Sequence, residues 1–311
     1  MDRLVTLFGG GGFLGRYVAQ ALYRTGVRVR IAQPHPERAF FLKPLGALGQ
    51  TQFMRTDIRD PRAVAAAVQG SDAVVNLAGT FGKAMHAIHV EGARNVAEAA
   101  AAAGTTALVH ISANGADTGS QSAYGRTKGE GEDAIRAAFP TATIFRPSVV
   151  FGREDNFVNR FAGLARMLPL VPVIRGSAKF QPVYAGDAGR AIAAAALDAE
   201  THGGKAYTLA GPEVLTMRQF TQWIGEATNH RRALVDVPDA LGSLLARIGS
   251  YLPGAPITWD QWLMLQQDNV AQPGDAGLEA FGIKPTPLEA VSEGWLTSYR
   301  RNGRFAAKSP Y

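Results

Sequence analysis

Between Val5 and Gly15 the chain reads Val-Thr-Leu-Phe-Gly-Gly-Gly-Gly-Phe-Leu-Gly. An apolar strand runs into a glycine turn and leaves it as an apolar-periodic helix. Gly9, Gly12 and Gly15 fit G-x-x-G-x-x-G, while Gly10, Gly12 and Gly15 fit G-x-G-x-x-G. Glycines let such a turn bend tightly and let its backbone approach a pyrophosphate, and the last one lets the helix pack closely on the strand. The helix N-terminus adds free N–H groups and partial positive charge. The expected ligand is a dinucleotide, with Gly9, Gly12, Phe13, Leu14 and Gly15 as its contacts.

The residues that follow organise themselves around that turn. Apolar runs predict strands over 4–8, 27–32, 52–55, 73–77, 107–112 and 143–145, separated by helical patterns over 14–24, 61–68, 90–103 and 124–138. Strands alternating with helices of this length mean βαβ units, so the predicted fold is α/β, a Rossmann-type doubly wound parallel sheet. After about residue 152 prolines become frequent (Pro169, Pro172, Pro182, Pro212) and the pattern turns irregular. The expected organisation is a dinucleotide-binding domain over 1–152, with 183–198 returning to the sheet as a strand–helix pair. A smaller mixed domain over 153–311 is expected at the carboxyl ends of the strands, where ligands of open α/β folds bind. Asp187 is expected to cap the helix that follows it. The stripe Leu241, Leu244, Leu245, Ile248 and Leu252 has helical spacing and is read as core of the smaller domain, with an interfacial helix as the alternative.

Composition excludes several chemistries. There is no cysteine, which removes disulfides, thiolate metal sites, iron–sulfur clusters and Cys nucleophiles. The six His do not fall at ligand spacing with carboxylates, so no metal is expected. A net charge of +6 is mild and scattered, apart from Arg300, Arg301, Arg304 and Lys308. That argues against nucleic acid and leaves an anionic membrane surface or acidic partner open. No apolar stretch approaches the roughly 20 residues of a spanning helix, and no signal segment is read, so the expected location is cytoplasmic.

The second strand bears on which dinucleotide binds. An NAD-selective site usually carries an acid there for the ribose 2′-hydroxyl. Here the segment is Gln33-Pro34-His35-Pro36-Glu37-Arg38, with no acid at the strand end. Arg38 or Arg16 could hold a 2′-phosphate, which favours NADPH over NADH.

Further motifs carry a resemblance. Asp57-Ile58-Arg59-Asp60, Asn76-Leu77-Ala78-Gly79, Tyr124-Gly125-Arg126-Thr127-Lys128 and Arg146-Pro147-Ser148-Val149-Val150-Phe151-Gly152 resemble the extended and atypical short-chain dehydrogenase/reductases. The resemblance implies that Asp57 and Ile58 lie at the adenine, Ala78 and Gly79 line the cofactor, and Pro147, Ser148 and Val149 pack on the nicotinamide side. Longer segments, "FGGGGFLGRYV", "HVEGARNVAEAA", "FPTATIFRPSVVFGREDNFVNRFA" and "FQPVYAGDAGRAI", resemble the NADPH-binding accessory subunits of respiratory complex I and their bacterial relatives. That likeness implies a structural nucleotide, complex I as partner and a peripheral place on the inner membrane. The chain departs from it in lacking an Arg at 33–35 and in a short 79–86 segment, which predicts a more open entrance.

Tyr124 and Lys128 are four apart and share a helix face. In a reductase the phenol would donate a proton to a carbonyl, the ammonium would lower the phenol pKa and bond the ribose, and Ser112 would hold the carbonyl oxygen, with Ser120 and Ser122 as alternatives. The substrate would then be a hydrophobic carbonyl compound or a quinone. The other reading is that Tyr124 and Lys128 only clamp the nucleotide. His89 is read as structural.

Overall fold

The computed structural model describes residues 3–252, 255, 257–301 and 303–305. The side chain of Arg304 and all of Lys308, two of the expected basic cluster, lie outside the described residues. The chain divides into two compact units: Met1–Pro147, Ala185–Leu209 and Gln272–Lys284 form one, and Ser148–Tyr184, Ala210–Ala271 and Pro285–Tyr311 the other.

The first unit is built on a seven-stranded parallel sheet. Its strands are β1 (Leu4–Phe8), β2 (Arg28–Gln33), β3 (Thr51–Arg55), β4 (Ala73–Asn76), β5 (Ala107–Ile111), β6 (Thr143–Pro147) and a last strand, Ala206–Leu209. From one edge the order is Ala206–Leu209, β6, β5, β4, β1, β2, β3, with the chain switching direction of travel at β1. Every residue of β1 and β5 is buried, as strands covered on both faces require. Helices α1 (Phe13–Tyr23), α2 (Pro61–Val68), α3 (Ala93–Ala102) and α4 (Ala123–Ala138) follow the strands. Phe8, Val64, Val74, Val96, Leu108, Ile135 and Ile144 form one continuous core of sheet and α2–α4. The helix Ala185–Leu197 packs against α1, close enough that a Cβ on Gly189 would lie 2.8 Å from the Tyr17 carbonyl carbon.

Two local expectations need correction. Val183–Tyr184 does not enter the large sheet; it pairs with Val150–Phe151 in a separate two-stranded ladder. The strand that does return is Ala206–Leu209, in register with β6 from Ala206 opposite Ile144 to Leu209 opposite Pro147. Asp187 sits inside the first turn of Ala185–Leu197 and accepts from Arg190 at 2.8 Å, rather than standing ahead of the helix as a cap. Its charge still suits the positive end of the helix.

The second unit holds short ladders and five α-helices among the described residues, including Phe157–Met167, Met217–Ala227 and Leu288–Leu296. Phe151, Val158, Phe220, Ile224, Trp295 and Leu296 form its core. Thr216 and Gln219 close a capping box at the start of Met217–Ala227. The helix Asp239–Gly249 reverses the sequence reading. Leu241, Leu244, Leu245 and Ile248 are exposed, as is Leu252 beyond its end. The buried face is Gly242, Ala246 and Gly249. A Cβ on Gly242 would lie 2.7 Å from the Trp262 ring, so only a hydrogen fits there and the small residues, not the large ones, take the inner face. No helix among the described residues is long and apolar enough to cross a membrane.

Candidate active site

The glycine turn links β1 to α1, and each glycine answers a different demand. Gly9 has φ +79°, a conformation that disfavours side chains. A Cβ on Gly15 would lie 2.5 Å from the Gly10 carbonyl oxygen, so the helix enters by backbone-to-backbone contact. Gly12 is the N-cap and carries no side chain to cap the helix. The first-turn N–H groups of Phe13, Leu14 and Gly15 are those that an α-helix leaves without an intrahelical acceptor. A pyrophosphate meets the chemistry of that donor set, and the glycine surface is one that added Cβ atoms would fill.

At the end of β2 the Gln33 amide takes the place expected of an acid in an NAD site. Its Oε1 accepts from Gly11 N–H at 2.9 Å and its Nε2 donates to the His35 carbonyl at 2.7 Å. Arg16 stacks its guanidinium 4.1 Å from the Phe41 ring centroid. Arg38 is exposed at the start of the 3-10 stretch Pro36–Leu45. Asp57 is held by Arg59 through a bidentate pair, which keeps its carboxyl below the usual range. The Ile58 carbonyl accepts from Asn95 Nδ2 at 3.0 Å, tying the loop after β3 to α3.

Tyr124 and Lys128 lie on α4, whose N-cap Ser122 accepts from Gly125 N–H at 3.2 Å. Ser122 is thus committed to the helix, and Ser120 Oγ accepts from Ser122 N–H. Ser112 is buried, and its hydroxyl faces the Glu132 carboxylate, whose pKa it helps to lower. Lys128 is buried and donates to the Ile111 carbonyl at 3.0 Å. An ammonium has three donors, so two remain for other acceptors. Burial lowers its pKa to about 8, and Glu132 opposes that fall. A Cβ on Gly79 would lie 3.5 Å from Lys128 Nζ, an ordinary contact, so the turn after β4 runs alongside the cation. Burial pushes the Tyr124 phenol up to about 12, the opposite of activation.

Several groups around this pair carry no motif. His89, in a π-helical turn over Ala87–Gly92, is buried. Its Nε2 accepts from Thr80 N–H at 3.0 Å, which puts the ring proton on Nδ1, facing Thr127 Oγ1 at 3.0 Å. Thr127 passes its own proton to the Ala123 carbonyl at 2.8 Å. Burial and the charge of Lys128 lower His89 to about 3, so it is neutral. Its ring meets Tyr124 edge-on at 5.5 Å, and Phe81 stacks on Tyr124 at 4.7 Å with 16° between planes. The short 79–86 segment, expected to open the entrance, therefore brings Phe81 onto Tyr124. One turn beyond Lys128, buried Glu132 accepts from Arg146 at 2.8 and 2.6 Å and from Arg136 at 3.0 Å. Burial raises Glu132, but hydrogen bonds from Arg146 and the Ser112 hydroxyl, with the charges of Arg146 and Arg136, outweigh it and hold the carboxyl below its usual range. The spacing Tyr124, Lys128, Glu132 could have flagged Glu132; nothing in the spacing flags His89 or Phe81.

Pro147 ends β6, and its carbonyl accepts from Asn114 N–H at 2.9 Å. In the second unit Ser148 Oγ donates to the Asn269 carbonyl at 2.9 Å, and Val149 packs against the cluster of Val173 and Phe180.

Residues 3–240 match the family described as RmlD substrate binding domain. The chain is 34% identical over 309 residues to the mitochondrial NADH dehydrogenase (ubiquinone) 1 alpha subcomplex subunit 9 of Mus musculus, covering 96% of this chain and 80% of that protein. It is 30% identical to the mitochondrial NADH-ubiquinone oxidoreductase 40 kDa subunit of Neurospora crassa, with the same coverage of 96% and 80%. Among solved structures, an NADPH-dependent quinone oxidoreductase from Escherichia coli superposes with a TM-score of 0.76 at 21% identity, covering 94% of this chain and 99% of that one, which speaks for the fold. The chain belongs to the RmlD substrate binding domain family of extended short-chain dehydrogenase/reductases, in the branch that includes these complex I subunits.

Proposed function

We propose that the chain binds NADPH in the glycine cradle and holds it as a structural nucleotide, as an accessory protein of respiratory complex I. The observation that carries this reading is the uncapped start of α1 at Gly12, together with the buried cation Lys128 in the same unit. Phe13, Leu14 and Gly15 would bind the pyrophosphate, Lys128 the ribose, and Arg16 or Arg38 the 2′-phosphate. A nicotinamide nucleotide supplies hydride chemistry when it is bound. The side chains around Tyr124 favour holding over turnover, because Phe81 stacks on one face of the half-buried ring and burial pushes the phenol up to about 12. Likeness to complex I subunits over nearly the whole chain supports that partner. The exposed aliphatic face of Asp239–Gly249 supports a peripheral place against a membrane or the assembly.

The test is to purify the protein, identify the nucleotide that accompanies it and measure its exchange. NADPH is expected to bind more tightly than NADH by roughly tenfold or more, the worth of a charge-assisted 2′-phosphate contact. Equal dissociation constants would remove the NADPH assignment. The intact Tyr124–Lys128 pair supports a second reading, an NADPH-dependent reductase of a hydrophobic carbonyl compound or quinone. Rapid oxidation of bound NADPH by such compounds, lost in Tyr124→Phe, would establish it in place of the structural role.

A further inference from the structure

We infer that Phe81 is the residue that keeps carbonyl substrates away from Tyr124, and that His89 is the positioning residue that holds Phe81 there. The inference rests on the nucleotide-holding reading above and supplies its physical reason.

The Tyr124 ring is hemmed in on several sides. Phe81 lies nearly parallel on one face with centroids 4.7 Å apart, the His89 ring stands edge-on at 5.5 Å, and Lys128 Nζ is 5.9 Å from the ring centroid. A phenol that protonates a carbonyl must come within about 3.2 Å of the accepting oxygen. An approach from the Phe81 side therefore requires that ring to leave. Phe81 is 61% exposed, so burial of its own surface is not what holds it in place. The adjacent residue explains it: Thr80 N–H donates to His89 Nε2 at 3.0 Å, pinning the backbone one residue before Phe81. The same imidazole is fixed on its other side by Thr127 of α4, the helix that carries Tyr124. His89 thus ties the segment that bears Phe81 to the helix that bears Tyr124. It does so as a neutral acceptor, because burial and Lys128 suppress its protonation.

Chemical modification of Tyr124 in the nucleotide-free protein tests this without any turnover. The protein is treated with N-acetylimidazole and the Tyr124 peptide is followed by mass spectrometry. Phe81→Ala is expected to speed acetylation of Tyr124 several-fold, up to about tenfold, the factor that a stacked aromatic pair is worth. His89→Ala should speed it to a similar degree. His89→Gln, whose amide oxygen can still accept from Thr80, should recover part of the protection, which a merely structural role would not. Equal rates in wild type and Phe81→Ala, or no recovery in His89→Gln, would overturn the inference. Nucleotide affinity is measured on the same proteins. If wild type binds no NADPH, the proposed function falls while the acetylation result still decides the role of Phe81.

Discussion

Two glycines three residues apart separate folding from binding. A Cβ on Gly15 meets the Gly10 backbone at 2.5–2.7 Å, whereas a Cβ on Gly12 meets little beyond the Gly9 carbonyl oxygen at 3.2 Å. Gly15→Ala is therefore expected to cost about 1–3 kcal/mol, the range for overpacked contacts, read as a lower urea midpoint. Gly12→Val puts a branched side chain at this exposed turn, tight only against the Gly9 oxygen, and should stay folded while losing NADPH binding by calorimetry. Retained binding in a folded Gly12→Val protein would remove the cradle assignment. The pattern of glycines was plain in the sequence. The division of labour between them was not, because it depends on which backbone atoms face each missing side chain. The same limit hid what His89 holds: the sequence offered it only as structural, and its partners Thr80 and Thr127 lie 9 and 38 residues away.

At the scale of elements, legibility followed local pattern. β1, α1, α2 and β5 were readable because period and end signals agree; α2 even announces its start with Asp60-Pro61. Asp60 accepts from the N–H groups of Arg62 and Ala63, so Asp60→Ala should cost about 0.5–2 kcal/mol in thermal or urea unfolding. No change would mean that Pro61 alone fixes the start. The strand Ala206–Leu209 was missed because four residues give too little alternation to outweigh the flanking glycines. The helix Asp239–Gly249 was misread for a different reason. Large aliphatics at helical spacing are ordinarily core, yet here Gly242, Ala246 and Gly249 form a second stripe on the opposite face, and close approach to Trp262 selects the small residues. A stripe of bulk identifies a helix; only the partner surface decides which side of it is inside.

Over the whole molecule, the buried bases couple stability to pH. The folded protein holds His89 at about 3 against 6.5, and Lys128 at about 8 against 10.5. Within each window the unfolded chain binds more protons, so stability rises with pH from about 3 to 6.5 and again from about 8 to 10.5. Falling pH therefore removes the His89 share between 6.5 and 3, on the order of a few kcal/mol. Buried His110, also lowered by burial, acts in the same direction. Urea unfolding at pH 7 and pH 4 should show a smaller loss in His89→Gln than in wild type; an unchanged difference would mean that His89 is not neutral in the fold. The alkaline window separates stability from binding. As pH rises past about 8, loss of the Lys128 proton relieves a buried charge and stabilises the fold, but it also removes the cation proposed to hold the nucleotide. Stability should rise between pH 8 and 10 while NADPH affinity falls, and both slopes should flatten in Lys128→Met. If affinity stays level across that window in wild type, Lys128 does not hold the nucleotide as an ammonium, whatever its part in the fold.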